Sequence, residues 1–237
     1  MRAWKIIKNP EELKKAAAKK LSELLFGLKE SPTLLLLSGG SSLGLVDLID
    51  SNSIGKDLTV GMTDDRYSTD PAINNFALLK KTEFYKIISK KACGLISTEV
   101  KRGELLEEYG VRFDADLKEW RKKNKKGFVI ATMGMGPDGH CCGVFPYPED
   151  KTFFDKNFLD EKKWAIGYDV GVKNEFNQRV TITISFMRQF IMGAVSYISG
   201  QNKKEALARA FSPGELHETP ARILSEIKNL TLFTDVS

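Results

Sequence analysis

The sequence is short of the residues that build disulfide scaffolds and metal centres. Its 237 residues include three cysteines (Cys93, Cys141, Cys142) and two histidines (His140, His217). Three unevenly spaced cysteines make no disulfide framework and point to a reducing compartment. Adjacent Cys141 and Cys142 have no second cysteine pair to complete a zinc site, so no metal is expected. Long apolar runs are missing too. The longest pure aliphatic stretch, Leu34–Leu37, falls far below the ~18 residues of a membrane span. The opening Met-Arg-Ala-Trp-Lys-Ile-Ile-Lys turns charged at once and holds no signal-peptide core. No repeat, low-complexity tract or Pro/Gly-rich linker interrupts the chain. A single cytoplasmic domain over residues 1–237, with no membrane partner, is the expectation.

What is present is ordinary for a globular protein: 42% hydrophobic and 28% charged residues, with 36 Lys+Arg against 31 Asp+Glu. The net charge of +5 suits an anionic small molecule but is too diffuse to argue for nucleic acid. The basic run Arg121 to Lys126 follows a helical pattern, where cations complement the carbonyl end of the dipole. No aromatic residue interleaves with it, so it reads as a solvated helix end.

Asn9-Pro10-Glu11-Glu12 is a helix start, with Asn9 as cap and Glu12 at capping-box spacing. Leu13, Ala17, Leu21, Leu24 and Leu28 then recur at helical period, up to Ser31-Pro32. Thr33–Leu37, Leu58–Met62 and Phe128–Met133 are short apolar runs, the pattern of interior parallel strands. Leu106, Tyr109, Phe113, Leu117 and Trp120 share one helical face between them. Val180, Ile182 and Ile184 alternate with threonines as a half-exposed strand would. Ala194–Ser199 reads as another strand, with a helix from about Lys203. Strands alternating with helices predict an α/β fold, a Rossmann-like three-layer sandwich with a mainly parallel sheet.

Ligands in such sheets bind beyond the carboxyl ends of the strands, and three strand ends carry unusual loops. Ser38-Gly39-Gly40-Ser41-Ser42 precedes an expected helix, Leu43–Ile49. Its glycines and serines can offer N–H and hydroxyl donors to an anion, or form a plain capping turn. Thr63-Asp64-Asp65-Arg66, with Asn75 nearby, could orient a polar ligand and place a cation at developing negative charge, or form a solvated ion pair. Met133-Gly134-Met135-Gly136-Pro137-Asp138-Gly139-His140 formally contains Gly-x-Gly-x-x-Gly. It lies past mid-chain and runs into two cysteines and Pro146, so a dinucleotide site is rejected. Its distinctive feature is Asp138 two residues before His140, a carboxylate able to fix the tautomer of a proton-accepting imidazole. Arg179 and Lys203 add cations. Lys203 at a helix start is disfavoured by the dipole, which a bound anion would explain.

Taken in order, Ser38-Gly39-Gly40-Ser41, Asp64-Asp65-Arg66 with Asn75, Gly134 to His140 running to Phe145-Pro146, Arg179-Val180-Thr181-Ile182-Thr183 and Gly200-Gln201-Asn202-Lys203 resemble the 6-phosphogluconolactonase family. The resemblance, which extends through Thr219-Pro220-Ala221-Arg222 to Leu232–Asp235, implies hydrolysis of 6-phosphoglucono-δ-lactone without metal or cofactor. It implies a phosphate held by Ser38 to Ser42, Arg179 and Lys203. His140 would be the base, supported by Asp138, with Arg66 near the reacting end and Asp64, Asp65, Asn75 and Gly136 lining the site. The partner is then a small sugar phosphate, with no nucleic acid, and the protein a monomer or small homo-oligomer. Three positions depart from the family pattern: Ser42-Leu43 after the glycines, Asp65 for the usual Glu, and Cys141-Cys142-Gly143-Val144 after the histidine. Two other readings stay open. One is a glucosamine-6-phosphate deaminase/isomerase, whose Asn-Glu-Pro continuation is absent where Val144-Phe145-Pro146 stands. The other is a sugar-phosphate sensor without turnover.

Overall fold

The computed structural model describes residues 3–236, so Met1, Arg2 and Ser237 of the expected 1–237 unit lie outside the described residues. The strands are β1 (Ala3–Ile6), β2 (Thr33–Leu37), β3 (Leu58–Met62), β4 (Asp64–Arg66), β5 (Gly94–Leu95), β6 (Phe128–Met133), β7 (Ala165–Asp169), β8 (Gln178–Ile182), β9 (Ile191–Ile198) and β10 (Asn229–Thr234). The helices are α1 (Pro10–Gly27), α2 (Asn75–Leu79), α3 (Glu83–Lys90), α4 (Leu106–Lys123), α5 (Lys151–Phe158), α6 (Ile184–Phe190) and α7 (Lys204–Ala210).

Seven strands pair in parallel in the order β1-β10-β9-β6-β2-β3-β5. The chain moves from β2 through β3 to one edge, then returns to lay β6 and β9 on the other flank of β2. The switch point therefore falls between β2 and β6, and the crevice beyond their carboxyl ends is where open α/β sheets bind ligands.

Alternation along β2 divides the core. Leu34 and Leu36 join a cluster with Tyr109, Phe113, Leu117 and Val129. Leu35 and Leu37 face the other way, onto Leu13, Ala17, Leu21 and Leu25 of α1. Each of these side chains is essentially removed from water, worth about 1.5–3 kcal/mol for each leucine. Asn9 caps α1, its carboxamide oxygen accepting from the Glu11 and Glu12 N–H groups. The buried stripe of α1 drifts onto Leu25, leaving Leu24 and Leu28 only partly covered. Arg121, Lys122 and Lys123 close α4, and Lys123 pairs with Glu119 one turn back.

Three expectations need correction. The segment after Gly39 is a 3₁₀ helix over Gly40–Leu48, starting three residues earlier than the helix foreseen. The strand around Val180 is not half exposed: β8 is buried from Arg179 to Ile182, because α4 packs on it and on β7. It also lies outside the parallel sheet, within a three-stranded antiparallel sheet β4-β8-β7 that shares one flank with the helices. The edge strand β1 was not foreseen, being exposed along most of its length and lacking an alternating apolar face.

Candidate active site

Four neighbouring strands of the parallel sheet, β9, β6, β2 and β3, end at one cleft, and β8 of the small sheet supplies its far wall. The cleft has a volume of about 300 Å³ and takes in the Ser38–Ser42 loop, Asp64, Arg66, Asn75, Gly136, His140, Arg179 and Lys203.

At the centre stands the loop after β6. Asp138 Oδ1 accepts from the His140 backbone N–H at 3.1 Å and meets His140 Nδ1 at 2.7 Å. No helix follows, so the carboxylate serves the imidazole and not a helix cap. Burial pushes the Asp138 carboxyl up, but its hydrogen bond to His140 and the imidazole's charge outweigh that and hold it below the ordinary carboxylate value. With Nδ1 occupied, Nε2 is the nitrogen left for chemistry. The imidazole stacks on Phe145 at 4.4 Å between ring centroids, with 23° between the planes. Gly136 is required by close approach: a Cβ there would lie 2.1 Å from His140 Cε1 and 2.5 Å from Asp138 Oδ1.

The loop after β2 is shaped for backbone donors. Gly39 sits where a Cβ would fall 2.4 Å from Asn75 Oδ1. The Ser38 hydroxyl is spent inside the protein, donating to the Thr132 carbonyl at 3.0 Å, contacting Thr63 Oγ1 at 3.1 Å and accepting from Gly134 N–H at 3.3 Å. It ties the ends of β2, β3 and β6 together and offers a ligand no side-chain donor, contrary to the sequence expectation. Ser41 is exposed at the start of the 3₁₀ turn.

The paired carboxylates after β3 part ways. Asp64 lines the cleft, accepts from Thr63 Oγ1 at 3.0 Å and pairs with Arg179 Nη1 at 3.4 Å. Asp65 is fully buried away from the cleft. It accepts from the N–H groups of Arg66, Asn75 and Phe76 and from the Thr98 hydroxyl. Burial pushes its carboxyl up to about 7, with those four hydrogen bonds pulling the other way. Asp65 is thus a node that fastens α2 to β4, not a ligand-binding group; β-strand alternation sends neighbouring side chains to opposite faces.

Three cations complete the cleft. Arg179 is buried, its Nε donating to the Phe176 carbonyl at 3.0 Å and its Nη2 to Asn174 Oδ1 at 2.9 Å. Arg66 donates from Nη1 to the Ile73 carbonyl at 2.9 Å and lies over the Phe176 ring at 5.0 Å. Its buried Nε and the buried Oδ1 of Asn75 have no hydrogen-bond partner among the described residues. Lys203 is half-buried, follows β9 and makes no ion pair among the described residues. Burial pulls its ammonium below the ordinary lysine value, with Asp235 opposing. A cleft with these cations and one poised imidazole favours an anion and can move a proton.

A sequence model described as glucosamine-6-phosphate isomerases/6-phosphogluconolactonase matches residues 8–233, nearly the whole chain. The chain belongs to that family. Within it, a 6-phosphogluconolactonase of Borreliella burgdorferi is 24% identical over 171 residues, 69% of this chain and 65% of that protein. The chain thus spans about two-thirds, 65%, of the curated relative it matches. Two solved 6-phosphogluconolactonase structures share the fold. One, from Leishmania guyanensis, has a TM-score of 0.73 at 20% identity, covering 99% of this chain and 96% of that one. The other, from Thermotoga maritima, has a TM-score of 0.72 at 18% identity and covers 100% of both chains.

The sequence signals led to most of the cleft and marked Cys142 only as a departure after the histidine, but they passed over the Asn174-Glu175-Phe176 segment; all of these residues line the cleft. Cys142 adopts a left-handed backbone with φ 54°. Its hydrogen bond to Cys141, then burial, push its thiol well above the ordinary value. The one available signal for the second segment was Phe176, an aromatic among polar residues in a loop. Among the described residues no helix is long and apolar enough to cross a membrane, and no group of three or more His, Cys, Asp or Glu is placed to hold a metal.

Proposed function

We propose that this chain hydrolyses 6-phospho-D-glucono-1,5-lactone to 6-phosphogluconate, with His140 as general base. The observation that carries the reading is the Asp138–His140 pair at 2.7 Å, with Nε2 left over in a cleft shared with Arg66, Arg179 and Lys203. The phosphate docks between the Ser38–Ser42 backbone, Arg179 and Lys203, and its binding energy places the lactone carbonyl by the imidazole. His140 Nε2 takes a proton from water, and the hydroxide adds to the carbonyl carbon. Arg66, which lines the cleft, stabilises the oxyanion. As the tetrahedral intermediate collapses, the ring C–O bond breaks and the imidazolium returns the proton to the ring oxygen. Asp138 holds the tautomer throughout and offsets the charge on the ring.

The test is turnover of freshly generated lactone, corrected for spontaneous hydrolysis, by wild type and His140→Ala. The expected loss in kcat is ~10²–10⁴-fold with the fold intact; a variant that keeps full turnover ends the proposal. Ammonia release from glucosamine 6-phosphate would replace it with the deaminase reading. Thermal stabilisation by 6-phosphogluconate without lactone hydrolysis would replace it with a sensor.

A further inference from the structure

Both cleft arginines are held by one short segment that no motif marked. Residues 170–177 join β7 to β8 and are pinned at their base. There Val170 N–H donates to the Asn177 carbonyl at 2.8 Å, and Asp169 accepts from Gly171 N–H at 2.7 Å and from Asn177 Nδ2 at 3.2 Å. Lys173 anchors the outer side by pairing with Glu149 at 2.5 Å and lying over Tyr147. At the tip, Asn174 Oδ1 accepts from Phe176 N–H at 3.0 Å and from Arg179 Nη2 at 2.9 Å. The Phe176 carbonyl takes Arg179 Nε, and the Phe176 ring carries the Arg66 guanidinium at 5.0 Å.

We infer that Asn174 and Phe176 are positioning residues for the two arginines, Asn174 acting on Arg179 and Phe176 on Arg66, so that one loop holds both guanidinium groups. The inference rests on the lactonase reading for which step each arginine serves. The chemistry of the two contacts differs. A guanidinium has five N–H donors in a rigid fork. With Nε and one N–H each of Nη1 and Nη2 taken by Phe176, Asp64 and Asn174, the remaining N–H groups are turned as a set toward an anion. Releasing the Asn174 contact frees that fork to rotate, which weakens phosphate capture. Arg66 has no carboxylate partner among the described residues, and its Nε is unbonded, so the aromatic face under it and the Ile73 carbonyl fix its pose. Removing the ring blurs the oxyanion contact, which slows the chemical step.

The experiment compares steady-state lactone kinetics and 6-phosphogluconate binding by calorimetry for wild type, Asn174→Ala, Phe176→Ala, Phe176→Tyr and the exposed loop control Val172→Ala. Asn174→Ala is expected to raise KM for the lactone and Kd for 6-phosphogluconate about tenfold, the size of one charge-assisted hydrogen bond, with kcat within twofold. Phe176→Ala should lower kcat by ~3–10-fold with little change in KM, the size of one cation–π contact, and Phe176→Tyr should restore it. Val172→Ala should match wild type. Both alanine variants leaving KM, kcat and Kd unchanged would overturn the inference. So would both losing kcat and KM together with a lowered Tm, unrescued by Tyr, which marks a merely structural loop. Wild type that binds 6-phosphogluconate yet turns over no lactone overturns the functional reading instead, and the Asn174→Ala shift in Kd still decides for or against the loop's hold on Arg179.

Discussion

The two sheets contribute to the cleft in different ways. The parallel sheet supplies the backbone: glycine turns after β2 and β6, at the switch point, whose shape follows from φ/ψ freedom and close approach. The small antiparallel sheet supplies two of the three cations, Arg66 on β4 and Arg179 on β8, paired across the strands in register; the third, Lys203, follows β9. Backbone-shaped parts of a site are written locally, in runs of Gly, Ser, Asp and His. Charge-bearing parts depend on tertiary partners, here Asp64, Asn174 and Phe176. Damage at the two buried anchors should differ in the same way, with Asp65 of the small sheet failing in stability and Gly136 of the glycine loops failing in rate.

The largest effect expected is on the small sheet. Asp65→Ala strands two buried N–H groups, the part-buried Arg66 N–H and the Thr98 hydroxyl, and should cost about 4 kcal/mol in chemical unfolding. A loss under 1 kcal/mol would show that Asp65 is not the node joining α2 to β4. On the parallel side, Gly136→Ala should leave stability nearly intact, because the clashing atoms belong to the partly exposed His140 and Asp138 side chains, but drive His140 off its pose. A displacement on that scale costs ~10²-fold in kcat, and kinetics within threefold of wild type would erase the distinction between the sheets. The smallest effect concerns pH. The Asp138 carboxyl lies below its unfolded value of about 3.9, so its stabilisation is present above that pH and is lost as the pH falls through the lower folded value. Because the side chain is 40% exposed, screening limits this to ~0.5 kcal/mol. Asp138→Asn should flatten the acid limb of the stability profile below pH 4 by about that much; an unchanged limb would mean the pair contributes nothing to folding.

The interior strands β2, β3 and β6 were legible to the residue, because a strand covered on both faces needs an unbroken apolar run between turn residues. The helix α4 was legible from its single buried stripe. The 3₁₀ helix after Gly39 was not, since periodicity does not separate a tight turn from an α-helix over nine residues. Nor was β8: the threonines in and just after it imitate solvent-facing positions, yet Thr181 and Thr183, the cap of α6, are buried and hydrogen-bonded to backbone carbonyls. In the site, Asp138, His140, Arg66, Arg179 and Lys203 converge as the motif order implied. Ser38 and Asp65 were misread for one reason: a hydroxyl or carboxylate next to a binding loop is equally well used to tie strands together, and composition does not show which way a side chain turns.

Phe145 touches the two ends of this arrangement. Its ring stacks on the His140 imidazole at 4.4 Å and lies 5.1 Å from the Arg179 guanidinium. It is fully buried, and its backbone N–H is held by the Tyr168 hydroxyl. On the proposed lactonase reading, this flat, buried plate sets the spacing between the phosphate-holding arginine and the base, so a sugar one carbon longer or shorter between its phosphate and its carbonyl is expected to turn over more slowly.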